Sequence, residues 1–206
     1  MIGVLGGTFD PIHLGHMQIA EQVQLRLSLD EVHFLPCAIP VHRDLPQISD
    51  TNRTQMIELA IAGNSNFRLN TLELDRGGNS YMVDTLRELR LANQSDTINL
   101  ILGADAFNRF LDWRCPDAIL QLAHLVVCRR PGVELDKSIY ADHWVNSTQV
   151  LESQAEACIL PLEIDENHCS STQVRQLLLE QNCAASCLPP AVFKYILSNH
   201  LYEQSQ

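Results

Sequence analysis

The sequence predicts an α/β fold, a doubly wound parallel sheet with a small helical part at its C-terminal end. Three observations carry that expectation. Short apolar runs that read as buried strands alternate with stretches of helical period, an order that implies parallel strands joined by right-handed crossovers. The first run is followed at once by a glycine-rich turn and a helix start, Gly6-Gly7-Thr8-Phe9-Asp10-Pro11-Ile12-His13-Leu14-Gly15-His16. Three polar or glycine-bearing segments follow apolar strands, Gly6–His16, Cys37–Arg43 and Gly103–Asp105, so all can converge beyond the strand C-termini, where such sheets bind ligands.

Element by element, Met1–Leu5 reads as the first strand and Leu14–Leu27 as a helix with Ile19, Ala20, Val23 and Leu27 on one face. Glu31–Pro36 is a second strand through Val32, Phe34 and Leu35. The polar, proline-bearing stretch from Pro36 to about Ser49 is long enough for a functional loop. Asp50 or Thr51 is placed to cap a helix carrying Met56, Ile57, Leu59, Ala60 and Ile61. Phe67–Leu74 reads as extended, Met82–Leu91 as helix, Asn99–Leu102 as strand and Asp117–Leu122 as helix. Leu125–Cys128 is a short buried strand, and a weaker one lies around Cys158–Leu162. Ser171–Glu180 and Ala191–Leu201 close the chain as helices, while Val133–Gln154 is polar and without clear period. No internal repeat or low-complexity segment is found. Residues 1–206 read as one domain, with 168–206 a C-terminal helical subregion.

Composition narrows the function. At 206 residues and 46% hydrophobic the chain can bury a real core. A net charge of −11 argues against a nucleic-acid or anionic-membrane surface, which would carry basic clusters. It leaves room for a nucleotide, which needs only a local pocket. No apolar run approaches the roughly 20 residues of a membrane span. The chain enters its first strand at once, with no room for a signal peptide, so a cytoplasmic protein is expected. The seven cysteines are odd in number and scattered, which predicts reduced thiols. A zinc site from His168, Cys183 and Cys187 is rejected for its poor spacing, and no protein-bound metal is expected.

The glycine turn lets backbone N–H groups approach a phosphate, and the helix start adds partial positive charge. His13 and His16, three apart, share one face and donate to phosphate oxygens. Alone, such a pair reads first as one helix cap and one satisfied core residue; behind the glycine turn and with the full signature, the phosphate reading prevails. Ser170-Ser171-Thr172-Gln173-Val174-Arg175 is a capped helix start that also makes an anion site, with Arg175 one turn on. His42-Arg43 reads either as a solvated basic pair or as a phosphate contact.

GGTFDPIHLGH resembles the start of the nucleotidyltransferase superfamily whose signature is [T/H]-x-G-H, with His13 and His16 at the two signature positions. That resemblance implies a Rossmann-like sheet of the nucleotidyltransferase type. CSSTQVR resembles the superfamily's I-S-S-T-x-x-R segment, which grips β- and γ-phosphates, with Cys169 in place of isoleucine. Pro40-Val41-His42-Arg43 resembles its P-x-H-K loop, with Arg for Lys. Further stretches resemble the bacterial nicotinate-nucleotide adenylyltransferase family along nearly the whole chain. They are Asp75–Leu86, Leu102–Asp105 with Trp113, His124–Gly132 and the ending from Leu188 to Tyr202. Asn79 stands where proline is usual and Met82 where threonine is usual.

The resemblance implies transfer of AMP from ATP to nicotinate mononucleotide, with Mg²⁺ held through the ATP phosphates. The implied catalytic set is His13, His16, Arg43 and Arg175. ATP contacts are implied at Gly6, Gly7, Thr8, Phe9, His13, His16, Gly103, Asp105, Ser171, Thr172 and Arg175. Mononucleotide contacts are implied at Thr8, His42, Arg43, Thr85, Trp113 and Arg130, with Trp113 a stacking platform and Thr85 beside the nicotinate carboxylate. The alternatives are a superfamily adenylyltransferase for nicotinamide mononucleotide or pantetheine phosphate, or a non-catalytic nucleotide-binding protein on the same fold. Monomer and homodimer both remain open.

Overall fold

The computed structural model describes residues 1–42, 44–94, 96–129, 133–153, 157–165, 167–180 and 184–203. Along the chain run β1 (Ile2–Gly7), α1 (Leu14–Leu27), β2 (Glu31–Pro36), β3 (Ile39–Pro40), α2 (Asp50–Ile61), β4 (Phe67–Leu69), α3 (Leu72–Arg76), β5 (Asn79–Ser80) and α4 (Met82–Ala92). Then follow β6 (Ile98–Gly103), α5 (Ala104–Phe107), α6 (Pro116–Leu122), β7 (His124–Arg129), α7 (Thr148–Ser153), β8 (Ile159–Glu163), α8 (Ser171–Leu179) and α9 (Pro190–Ser198).

Six strands pair in the order β4-β2-β1-β6-β7-β8, every pair parallel. The order reverses between β1 and β6, and that switch point is where a doubly wound sheet opens a crevice for a ligand. The strands alternate between two apolar clusters because successive side chains point to opposite faces. Leu5, Ile101, Val126, Leu160 and Phe34 join Met17, Val23, Met56, Ile57, Val174 and Val192. Val4, Leu100, Leu125, Val127 and Leu35 join Val83, Leu86, Phe107, Phe110 and Ile119 on the other side. Helices α1, α2, α8 and α9 therefore cover one face, and α4, α5 and α6 cover the other. Each fully buried Val, Leu or Ile contributes about 1.5–3 kcal/mol.

Several elements differ from expectation. Helix α2 is capped by Ser49, whose hydroxyl accepts the Asn52 N–H at 3.3 Å, and not by Asp50 or Thr51. The extended stretch expected over 67–74 stops at Leu69. There the Asn70 side chain accepts the Leu72 N–H at 3.0 Å and turns the backbone into α3, a local bond that competes with strand pairing. Gly77 and Gly78, at φ 67° and 71°, end α3 in the left-handed region that glycine tolerates best. The chain then extends as β5, which pairs in parallel with β3 and ties the loop after β2 to the start of α4. In the polar region 133–153, Val145 donates to the Ile159 carbonyl at 2.9 Å. Asn108 donates to the Glu134 carbonyl and accepts the Asp136 N–H, both at 3.1 Å, and the Tyr140 hydroxyl donates to Asp117. Hydrogen bonds to the core and to the α5–α6 segment thus anchor the region, while the Trp144 indole donates to Ile139 within it at 3.0 Å.

Candidate active site

The β1–α1 connection is built around its two histidines. His13 is the N-cap of α1, and its Nδ1 accepts the Gly15 N–H at 3.1 Å. His16 returns the bond, its Nδ1 accepting the His13 N–H at 3.3 Å. The two rings lie 3.8 Å apart at 31°. With both Nδ1 atoms acting as acceptors, a neutral ring carries its proton on Nε2, as a donor. So the cap reading and the phosphate reading of His13 coexist: the cap fixes the tautomer. A Cβ on Gly15 would lie 3.0 Å from the His13 ring and 3.1 Å from the Cys169 carbonyl, so any larger residue would have to push one of them aside by a few tenths of an ångström. Phe9, at φ 49°, turns its buried ring edge-on to His16 at 5.0 Å and against Phe34 at 6.0 Å.

The start of α8 docks onto this connection from the far end of the chain. Ser170 caps α8 by accepting the Gln173 N–H at 3.2 Å. The Ser171 hydroxyl donates to the Pro11 carbonyl at 3.0 Å. Arg175 donates through one guanidinium nitrogen to the Asp10 carbonyl at 2.7 Å and through the other to Thr172 Oγ1 at 3.3 Å. His13, His16, Ser171, Thr172 and Arg175 are thus brought together around residues 10–16, beyond the end of β1.

Two residues that carried no role in the sequence reading hold the arrangement. Arg53 is completely buried. Its guanidinium donates to the Thr8 carbonyl and to the Cys37 carbonyl, both at 2.7 Å, and to the Asp50 carboxylate at 2.5 Å. It thereby clamps the chain just beyond the ends of β1 and β2. Burial pushes the neighbouring Cys37 thiol up, against the pull of Arg53 and of a Thr8 hydrogen bond. Asp10 is the second: one carboxylate oxygen accepts the Tyr202 hydroxyl at 2.7 Å, the other the Gln47 N–H at 2.8 Å. A helical arginine and an acid within the signature look like surface residues in sequence, because their partners are carbonyls and distant segments.

Beyond β6, Gly103 caps the four-residue α5 and Asp105 stands exposed in its first turn, across the switch point from His13. On the other flank Thr85 is fully buried. Its hydroxyl donates to Glu73 at 2.7 Å and accepts from Arg76 at 2.9 Å, so it is engaged inside the protein. Trp113 is half-buried against Phe110, ring centroids 5.6 Å apart. Beside it, Arg114 stacks over the Tyr81 ring at 4.6 Å, next to the start of α4, which no side chain caps. His42 is exposed in the loop after β3, and Arg43 and Arg130 lie outside the described residues.

The expectation of reduced cysteines is corrected at one pair. Cys169 and Cys187 form a disulfide, Cα atoms 5.4 Å apart, where the segment before α8 meets the segment before α9. Spacing in sequence could not reveal a pairing made by tertiary docking. Among the described residues no cluster of three His, Cys, Asp or Glu could hold a metal, and Cys183 of the rejected zinc set lies outside them. No helix among the described residues is long and apolar enough to cross a membrane.

The cytidylyltransferase-like family model matches residues 4–177. A protein of Hydrogenovibrio crunogenus named "Probable nicotinate-nucleotide adenylyltransferase" is 38% identical over 98% of each chain. One of the same name from Methylococcus capsulatus is 40% identical over 98% of this chain and 99% of its own. Among solved structures, Plasmodium falciparum nicotinic acid mononucleotide adenylyltransferase complexed with NaAD superposes with a TM-score of 0.78. It is 19% identical, over 98% of this chain and 96% of its own, a likeness of fold.

Proposed function

The chain belongs to the nicotinate-nucleotide adenylyltransferase family, within the cytidylyltransferase-like group, and we propose that it joins ATP and nicotinate mononucleotide. The products are nicotinate adenine dinucleotide and pyrophosphate, a step of NAD biosynthesis. The carrying observation is the docking of Ser171 and Arg175 onto Pro11 and Asp10, which sets a second helix start beside the His13–His16 pair.

In this reading the mononucleotide phosphate attacks the α-phosphorus of ATP in line. A phosphorus–oxygen bond forms on one side and the bond to the departing pyrophosphate breaks on the other, with no covalent enzyme intermediate. His13 and His16 donate Nε2–H to phosphate oxygens whose charge grows during transfer. Ser171, Thr172 and Arg175 hold the β- and γ-phosphates. The Gly6–Phe9 turn lies against the triphosphate, and Asp105 beyond Gly103 accepts from a ribose hydroxyl. On the acceptor side Trp113 stacks on the pyridine ring, and Thr8, His42, Arg43 and Arg130 take the mononucleotide's polar groups. Because the Thr85 hydroxyl is committed to Glu73 and Arg76, its part is to fix the start of α4, whose backbone N–H groups then read the nicotinate carboxylate.

Mg²⁺ fits this site as a phosphate-borne ion. Asp10 has both carboxylate oxygens engaged, and the groups around the signature are imidazoles, hydroxyls and a guanidinium. A hard cation takes oxygen ligands, which the triphosphate and water supply. When bound there it screens the charge of the leaving pyrophosphate.

The test is pyrophosphate release from ATP with nicotinate mononucleotide, nicotinamide mononucleotide or pantetheine phosphate as acceptor. An amide sets NH₂ donors against backbone N–H groups that suit a carboxylate, leaving buried donors unpaired. The nicotinate form is expected to lead in kcat/KM by about 10²–10³-fold. Equal efficiency with the amide would refute the acid-selective pocket, and release only with pantetheine phosphate would refute the assignment.

A further inference from the structure

Asp10 bonds to three distant parts of the chain. Its carbonyl accepts Arg175 Nη1 at 2.7 Å, and its carboxylate takes the Tyr202 hydroxyl at 2.7 Å and the Gln47 N–H at 2.8 Å. Its Oδ2, the oxygen that takes the Gln47 N–H, also stands 3.9 Å from the same Arg175 nitrogen, an ion pair only loosely made, while Tyr202 holds Oδ1. Closed to ordinary hydrogen-bond distance, that pair would be charge-assisted and would compete for the guanidinium with any phosphate. Asp10 is almost wholly buried, so little water weakens the competition.

Tyr202 anchors the carboxylate through Oδ1, the oxygen turned away from Arg175. It lies past the end of α9, at φ 64°, with its side chain buried against the same core that holds α1 and α8. Burial, and then the charge of Asp10, push its phenol well above the usual range, so it remains a protonated donor throughout the physiological range. The Gln47 N–H holds the second oxygen. With both oxygens held, Arg175 is left to bond the Asp10 carbonyl, a neutral acceptor, and to spread its second nitrogen towards Thr172.

We propose that Tyr202 is a positioning residue for ATP: by occupying the Asp10 carboxylate it keeps the Arg175 guanidinium available to the β- and γ-phosphates. The proposal rests on the reading of Arg175 as a phosphate ligand. Removing the hydroxyl alone leaves the ring packing in place and frees Oδ1, so the carboxylate, then held only at Oδ2 by the Gln47 N–H, can turn and close its 3.9 Å gap to Arg175. The loss then falls on ATP and pyrophosphate, not on the mononucleotide.

The experiment is a double-mutant cycle on the full chain with Tyr202→Phe and Asp10→Asn. Readouts are KM for each substrate, kcat, and calorimetric binding of inorganic pyrophosphate, with thermal unfolding to establish that each variant is folded. Tyr202→Phe is expected to raise KM for ATP and weaken pyrophosphate about tenfold, the value of one charge-assisted contact, with kcat within threefold and the mononucleotide KM unchanged. In the Asp10→Asn background, where no anion competes for Arg175, the same tyrosine change is expected to do less than twofold. The proposal is overturned if the two changes add independently, or if Tyr202→Phe lowers kcat and both KM values move alike, as a merely structural role requires. It is overturned too if a folded Tyr202→Phe keeps its ATP KM. If Tyr202→Phe fails to fold, Asp10→Asn alone takes its place: with no anion to compete for Arg175 it is expected to bind pyrophosphate at least as tightly as wild type, and an affinity about tenfold weaker overturns the proposal. A wild-type chain that binds no pyrophosphate would instead remove the phosphate-site reading on which all arms stand.

Discussion

The two flanks of the switch point are built differently. On the side proposed for ATP, the functional side chains each take a backbone partner, His13 with Gly15, Ser171 with Pro11, Arg175 with Asp10 and Arg53 with Thr8, alongside side-chain bonds such as Asp10 to Tyr202. On the side proposed for the mononucleotide, they are fixed by one another: Thr85 by Glu73 and Arg76, Arg114 by Tyr81 and Asp84. Backbone partners hold a side chain in one place and cannot turn away. Side-chain partners can exchange for a ligand. The donor flank is therefore expected to be preformed, which suits transition-state stabilisation by fixed groups. The acceptor flank is expected to adjust as the second substrate arrives.

The contrast can be broken or sharpened by substitution. His16→Ala removes a fixed donor and is expected to lower kcat by about 10²–10³-fold, with ATP affinity reduced much less. A folded variant with near-normal turnover in steady-state kinetics would break the donor-flank reading. Arg53→Met takes the donors from two buried carbonyls, at about 1–3 kcal/mol each, and is expected to destabilise the fold by about 2–4 kcal/mol. Denaturant unfolding reads this, and an unchanged midpoint would mean that Arg53 clamps nothing. Trp113→Ala is expected to raise KM for the mononucleotide about tenfold, the scale of a lost aromatic stack, with KM for ATP nearly unchanged. Equal changes in both would erase the distinction between flanks.

A smaller effect concerns thiols at the junction. Burial pushes the Cys37 and Cys158 thiols up and raises Cys128 to about 12, so at pH 8 each holds less thiolate than a free cysteine. Among the free cysteines of the described residues, exposed Cys115 is expected to be alkylated first, and these three only on unfolding. Rapid labelling of Cys37, monitored by peptide mass, would show that the ends of β1 and β2 open.

Much of the donor flank was legible in the sequence, because its residues are contiguous. A glycine turn, two histidines and a capped SSTxxR start are local patterns, and their reading as phosphate contacts rests on the resemblance they carry. The strands of the main sheet and most helices were legible for the same reason, since strands buried on both faces of a parallel sheet leave short continuous apolar runs. What stayed hidden depends on contacts between distant segments. Nothing near Arg53 in sequence reveals that its partners are the Thr8 and Cys37 carbonyls. Nothing near Tyr202 points to Asp10, and the Cys169–Cys187 pairing exists only once α8 and α9 have docked. The β3–β5 pair is two residues on each strand, too short for any alternation to register.

The account turns on Arg175 meeting the leaving phosphates at a preformed site, and isothermal titration calorimetry of wild type and Arg175→Ala with ATP and with AMP tests it most directly. The expected result is a loss of ATP affinity of about tenfold or more, the scale of a charge-assisted phosphate contact, with AMP affinity nearly unchanged. Equal losses for the two nucleotides would contradict the account, because Arg175 would then lie away from the β- and γ-phosphates.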